Sequence, residues 1–69
     1  MSNRVYKVLE LVGTSEESIE RAIENGIAEA SKNHQQLDWF EVVETRGFID
    51  KAQVKYYQVH LKIGCYEPM

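Results

Sequence analysis

VKYYQVHLKIGCY, Val54 to Tyr66, is the stretch whose reading decides the fold. Tyr57, Val59, Leu61, Ile63 and Cys65 fall on one alternation face and Tyr56, Gln58, His60 and Lys62 on the other. A period of two with one apolar side is the signature of a strand buried on that side. Immediately before it, Leu37 to Ile49 (LDWFEVVETRGFI) is rich in aromatic and β-branched residues and reads as a second long strand. Asp50 and Lys51 mark the turn between them. Two long strands joined by a short polar turn form an antiparallel hairpin.

Toward the N-terminus, Val5 to Val12 (VYKVLELV) places Val5, Leu9 and Leu11 on one face and Tyr6, Val8 and Val12 on the other. That distribution predicts a strand with both sides at least partly covered. Gly13 is expected to break it. Thr14-Ser15-Glu16-Glu17 then fits a capping box, Thr14 accepting from first-turn amides while Glu17 reaches back, so a helix is expected to begin there. Through Ser31 its apolar residues are Ile19, Ala22, Ile23, Gly26, Ile27 and Ala30, the three-and-four spacing of one buried stripe. The small members, Ala22, Gly26 and Ala30, form a shallow flank able to lie close against a sheet. Glycine in a helix costs about 1 kcal/mol relative to alanine, and close packing is the compensation expected at Gly26. Ser31 to Gln36 ends the helix. The order is therefore β-α-β-β, an α+β fold in which the helix is the crossover that returns the first strand to the same sheet.

The chain has 69 residues, 43% hydrophobic and 28% charged, with a net charge of −3. One domain spanning residues 1–69 is expected, with a core that nets only about 3–5 kcal/mol at this size, so partners are expected too. Cys65 is the lone cysteine and forms no intrachain bridge, which points to a reducing, cytoplasmic setting and to self-association. No apolar run exceeds two residues, so neither a membrane span nor the apolar segment of a signal peptide is expected. Eleven acidic against eight basic residues, without a basic run, argue against nucleic acid as a partner.

One helix covers only one face of a three-stranded sheet, yet aromatics occur on both faces of these strands. Trp39 and Phe40 are neighbours and must point to opposite sides. Phe40 alternates with Val42, so these two are assigned to the helix side and Trp39 to the outer side. A large indole on a face without a helix needs a partner, which pattern alone leaves open between a packed core, another subunit and a planar ligand. Gln58, mid-strand on the polar side of the last strand, reads either as a solvated amide or as a group that donates and accepts side by side against a heterocycle edge.

Catalytic and metal-binding patterns do not emerge. His34 and His60 lack a Cys or His partner at ligand spacing and read as surface residues. Thr14 and Ser15 read as caps rather than nucleophiles, and Cys65 as a small buried hydrophobe. Glu41 and Glu44 are expected on opposite faces of one strand, unable to act as a pair.

Glu10-Leu11-Val12-Gly13-Thr14-Ser15, Trp39-Phe40-Glu41-Val42 with Arg46-Gly47, Tyr57-Gln58-Val59 and Lys62-Ile63-Gly64 together resemble the dodecin family in order and spacing, from about Val5 to Gly64. The resemblance implies a three-stranded antiparallel sheet partly wrapped around one helix, and a homo-oligomer of twelve copies forming a hollow sphere. It implies flavins, FMN or riboflavin, bound as stacked pairs between tryptophans of neighbouring subunits. Trp39 would be the stacking residue, Gln58 would bond the isoalloxazine edge, and Arg46 would help hold the ribityl or phosphate part. Storage or sequestration of flavin with quenching of its photochemistry would be the function, without turnover. Some bacterial members also bind coenzyme A. This chain reads Gly64-Cys65-Tyr66 where bacterial members commonly read Gly-Phe-Arg, which removes a positive charge and bears on FMN preference and on any coenzyme A site. The competing reading is a structural or interaction module that forms a homo-oligomer without flavin. A flavin enzyme fits less well, because stacked indoles block substrate access and no acid or base is evident.

Overall fold

In the computed structural model, which describes residues 4–34 and 36–67, four elements follow in the order expected. They are β1 (Tyr6–Ser15), α1 (Ile19–Ser31), β2 (Leu37–Asp50) and β3 (Gln53–Tyr66). The sheet order is β1-β3-β2 and both pairings are antiparallel, so β3, with the cleanest alternation, is the central strand. Its apolar side is the core: Val59, Leu61 and Ile63 are fully or almost fully buried and pack with Ala22 and Ala30 of α1. Leu9, Leu11, Ile23, Ile27 and Leu37 close around them. Cys65 is buried beside this row, as expected of a small hydrophobe.

The helix lies on its small residues. Ala22, Gly26 and Ala30 are its buried positions, and a Cβ on Gly26 would come within 2.9 Å of both Leu11 Cδ1 and Leu61 Cδ1. Gly13 is the facing member of the contact: a Cβ there would overlap the Ala22 carbonyl oxygen. This overturns the expectation that Gly13 breaks the strand. It stays in β1, where Gly13 pairs with Val59, Thr14 with Gln58 and Ser15 with Tyr57. Glycine serves here to let the helix backbone descend onto the strand, not to turn the chain.

The helix start moves accordingly. Thr14 belongs to β1 and does not cap; Ser18 is the N-cap, its Oγ accepting from the Arg21 amide at 3.0 Å. Ser15 Oγ accepts from the amides of Glu17 and Ser18 at 2.9 and 3.4 Å, and these bonds turn the chain between strand and helix. Two serines thus divide the work expected of the Thr14–Glu17 box, because the buried pairing of Ser15 with Tyr57 keeps the chain extended past the first cap candidate.

The hairpin turn is also displaced by one residue. Asp50 pairs with Gln53, and Lys51 and Ala52 form the turn with φ of 54° and 64°. Positive φ at both central residues is the two-residue turn that matches strand twist, ordinarily built from Asn-Gly or Asp-Gly. A residue with a Cβ in this region is disfavoured by roughly 1 kcal/mol. Ala52→Gly is therefore expected to stabilise the protein by about 1 kcal/mol, raising Tm by about 4–8 °C in a thermal melt at fixed protein concentration.

α1 packs mainly on β1 and β3 and meets β2 only at its start, where Leu37 joins the core. Phe40 and Val42 point to the helix side of the sheet, as assigned, opposite Ile63 and Leu61. They are nevertheless 48% and 41% exposed, because the helix lies over β1 and β3 and not over the middle of β2. β1 is open on its outer side as well, with Val8 and Val12 exposed, so a single chain does not cover both sides of that strand. The Cα radius of gyration is 14.1 Å, against about 11 Å for a compact chain of this length. The excess is the long β2–β3 hairpin. Among the described residues no helix is long and apolar enough to cross a membrane.

Candidate functional site

Trp39, Gln58 and Arg46 all lie on the outer face of the sheet, the side away from α1. Trp39 stands opposite Gly64, and Arg46 opposite Gln58, whose neighbours Val59 and Ile63 point inward. Simple alternation along β2 would not give this result, since positions 39 and 46 have opposite parity. A bulge between Val42 and Glu44 reverses the phase and carries Arg46 to the face of Trp39. The same bulge overturns the expectation that Glu41 and Glu44 are on opposite sides. They stand opposite Lys62 and His60, both on the outer face.

Trp39 rests flat on backbone. A Cβ on Gly64 would overlap Cε2, Cζ2 and Nε1 of the indole, so glycine at this position is what allows the ring to lie against β3. Tyr6 flanks it, ring centroids 6.0 Å apart and planes at 57°. Tyr66 meets Tyr6 edge-on at 6.2 Å, and the Arg4 guanidinium lies 4.3 Å above the Tyr66 ring. The indole remains 41% exposed. A shallow cavity of about 100 Å³ opens at the other side of this strand end, lined by Ile27, Leu37, Asp38, Trp39, Phe40 and Ile63.

Asp38 gathers the polar groups of this corner. Its Oδ2 accepts from the Tyr6 hydroxyl at 2.9 Å and from Arg4 Nη1 at 2.8 Å, and its Oδ1 accepts from Gln36 Nε2 at 3.2 Å. The Tyr6 hydroxyl bond holds the carboxyl below the usual carboxylate range; Gln36 and Arg4 add to this against an opposing effect of desolvation. Arg4 thereby places a guanidinium beside Tyr66 at this end of the sheet, one already paired with Asp38.

At the opposite end of the sheet, Arg46 Nη1 donates to Gln58 Oε1 at 3.1 Å and its Nη2 lies 2.9 Å from Glu44 Oε2. Gln58 also borders a cleft of about 290 Å³ with Thr14, Ser15, Glu16 and Tyr56. Phe48 stacks on Tyr56 beyond it, centroids 4.6 Å apart. Between the two ends run Glu10, His60 and Lys62. His60 is only half-buried and its Nε2 sits 2.9 Å from Glu10 Oε2, a paired residue rather than a free surface one. Among the described residues no three His, Cys, Asp or Glu side chains gather to hold a metal.

Gln58 and Arg46 come together; Trp39 does not join them. Six positions of β3 separate Gln58 from Gly64, about 20 Å at roughly 3.3 Å per residue. Sequence reasoning missed Arg4, Tyr6, Asp38 and Tyr66 around the indole. Tyr66 could have been found by alternation along β3, two residues beyond Gly64 on the same face, whereas Tyr6 comes beside it through the β1–β3 register. Asp38 is reached only through the bulge between Leu37 and Trp39, for which the sequence carries no signal.

A β-α-β-β chain whose helix covers two strands of three, leaving an aromatic-bearing outer face, defines a class of small sheet proteins built to be covered by something beyond the chain itself. The dodecin family model matches residues 5–67. The chain belongs to the dodecin family. It is 57% identical to the dodecin of Thermus thermophilus over 61 residues, 88% of each chain. The solved dodecin of Streptomyces coelicolor superposes with a TM-score of 0.92 at 43% identity, covering 100% of this chain and 99% of that one. The dodecin of Streptomyces davaonensis gives 0.91 at 46% identity, covering 99% and 100%.

Proposed function

We propose that this protein binds flavins, riboflavin or FMN, as pairs held between Trp39 side chains of two protomers, and stores them without turnover while quenching their photochemistry. The observation that carries this reading is the indole itself: large, 41% exposed, lying flat on Gly64 on the sheet face that α1 leaves open. An electron-rich indole against an electron-poor isoalloxazine ring is a favourable stack.

The separation of Trp39 from Gln58 and Arg46 supports a site built from more than one chain. A planar ligand touching both ends of the outer face within one protomer would have to span about 20 Å. A two-fold axis that sets two sheets in opposite directions brings the Trp39 end of one protomer to the Gln58 end of its partner. Gln58 Oε1 accepts one bond from Arg46, and a carbonyl oxygen has a second lone pair for an imide N–H, while Nε2 can donate to the adjacent ring carbonyl. The exposed apolar residues of β2, Phe40, Val42 and Val43, support assembly beyond a dimer, and a dodecamer is the assembly we propose. A lone buried cysteine suits the cytoplasm as its location.

The structure adds nothing in favour of coenzyme A. Arg4 and Arg46 are each held by a carboxylate, at 2.8 and 2.9 Å, and Tyr66 brings no charge; no role for coenzyme A is proposed. By the same reasoning FMN, whose phosphate finds both guanidiniums already neutralised, is expected to bind within about tenfold of riboflavin.

Titration of riboflavin and FMN separately into the apo protein, followed by flavin fluorescence, tests the proposal, with light scattering to size the assembly. Quenching on a large oligomer is expected. Gln58→Leu is expected to weaken binding about tenfold through the loss of ring-edge hydrogen bonds. A large oligomer that leaves flavin fluorescence unchanged would replace this reading with a purely structural one.

A further inference from the structure

We propose that Arg4, Tyr6 and Asp38 form a clasp that sets the orientation of the Trp39 indole before any ligand arrives. They are positioning residues, acting on a ligand only through Trp39. The inference rests on the flavin reading above and deepens it.

Asp38 falls in the bulge between Leu37 and Trp39 and has no partner on β3, so the backbone entering Trp39 is not fixed at that residue by the sheet ladder. The side chain supplies the missing restraint. Its carboxylate takes the Tyr6 hydroxyl and Arg4 Nη1 on one oxygen and Gln36 Nε2 on the other, at 2.9, 2.8 and 3.2 Å. These bonds tie the start of β2 to the start of β1 across the central strand. Tyr6, so anchored by its hydroxyl, presents its ring to the indole at 6.0 Å. Arg4 is fixed in turn over Tyr66, and Tyr66 supports Tyr6 edge-on. The indole therefore has a floor at Gly64 and a wall at Tyr6, and is open only in the remaining directions. A ring so held loses little freedom when a planar ligand stacks on it, whereas a freely turning one has to be ordered at the moment of binding.

Trp39 is the sole tryptophan of the chain, so indole fluorescence reports on this one residue. The experiment measures the local component of Trp39 anisotropy decay and the near-UV circular dichroism of the apo protein, then riboflavin affinity. Parent, Asp38→Ala, Asp38→Asn and Tyr6→Phe are compared. Tyr6→Phe is the milder variant, keeping the ring and removing only its hydroxyl. The expectation is faster local motion of Trp39 and a diminished near-UV band in Asp38→Ala and Tyr6→Phe. Riboflavin binding should weaken on the order of fivefold to tenfold, with far-UV dichroism unchanged. Asp38→Asn, which keeps an acceptor for the Tyr6 hydroxyl, should recover part of both losses. Unchanged Trp39 motion in Tyr6→Phe and Asp38→Ala overturns the clasp, and so does freer motion with parental affinity. If the parent protein binds no riboflavin, the flavin reading fails, and the apo anisotropy alone still decides whether the three residues hold the indole.

Discussion

Trp39→Ala is expected to weaken riboflavin binding by two to three orders of magnitude while leaving the fold in place. An aromatic side chain of this size buries up to about 250 Å², and the 41% still exposed leaves about 100 Å² for a ligand to cover. At about 25 cal/mol per Å² that area is worth about 2.5 kcal/mol, and offset stacking adds about 0.5–1.5 kcal/mol. The sum, about 3–4 kcal/mol, corresponds to roughly 100- to 1,000-fold in affinity. The fold should survive because Trp39 touches Gly64 and Tyr6 on the outer face, while Val59, Leu61, Ile63, Ala22 and Ala30 make the core on the other. Fluorescence titration with riboflavin measures the first effect and far-UV circular dichroism the second. Binding within about threefold of the parent would remove Trp39 from the site.

Gly13→Ala is expected to prevent stable folding. The added Cβ overlaps the Ala22 carbonyl oxygen and comes within 3.1 Å of the Gly26 amide nitrogen, and both are helix backbone that cannot swing aside. Relief requires α1 to lift from β1, which opens the contacts of Ala22, Gly26 and Ala30 with Leu11 and Leu61 that make the core. Overpacking of this kind costs on the order of 3 kcal/mol or more, comparable with the whole net stability of a chain this short. Gly47→Ala is the control. Its Cβ would meet Tyr56 O at 3.8 Å and Val54 Cγ1 at 3.9 Å, ordinary contacts, and stability should hardly change. Urea unfolding at equal protein concentrations compares the two; a Gly13→Ala midpoint close to that of Gly47→Ala would mean that the helix is not seated on this glycine.

Much of this was legible in the residues. The alternation of β3 named the strand, its buried side and, through Gln58 and Lys62, its outer side. The three-and-four spacing of α1 named the flank of small residues on which it lies. What misled was local: Gly13 resembles a breaker and Thr14–Glu17 a capping box, yet the close approach of helix to strand uses that glycine in extended form and leaves the capping to Ser18. Lys51-Ala52 carries none of the usual turn residues, and the polar pair Asp50-Lys51 reads as the turn one residue before the true one. Such local signals report what a segment prefers alone, and packing outweighed them by more than the kilocalorie or so each is worth.

Sequence alone determined the order of elements, the identity of the core and the outward direction of Trp39, because side-chain periodicity is set by strand and helix geometry and needs no neighbour to be read. Tertiary structure alone decided that Arg46 shares the face of Trp39, that Glu41 and Glu44 lie together, and that Asp38, Tyr6 and Arg4 meet around the indole. A bulge shifts every later side chain to the opposite side of its strand, and whether one forms depends on how two strands fit against each other rather than on either strand's own residues.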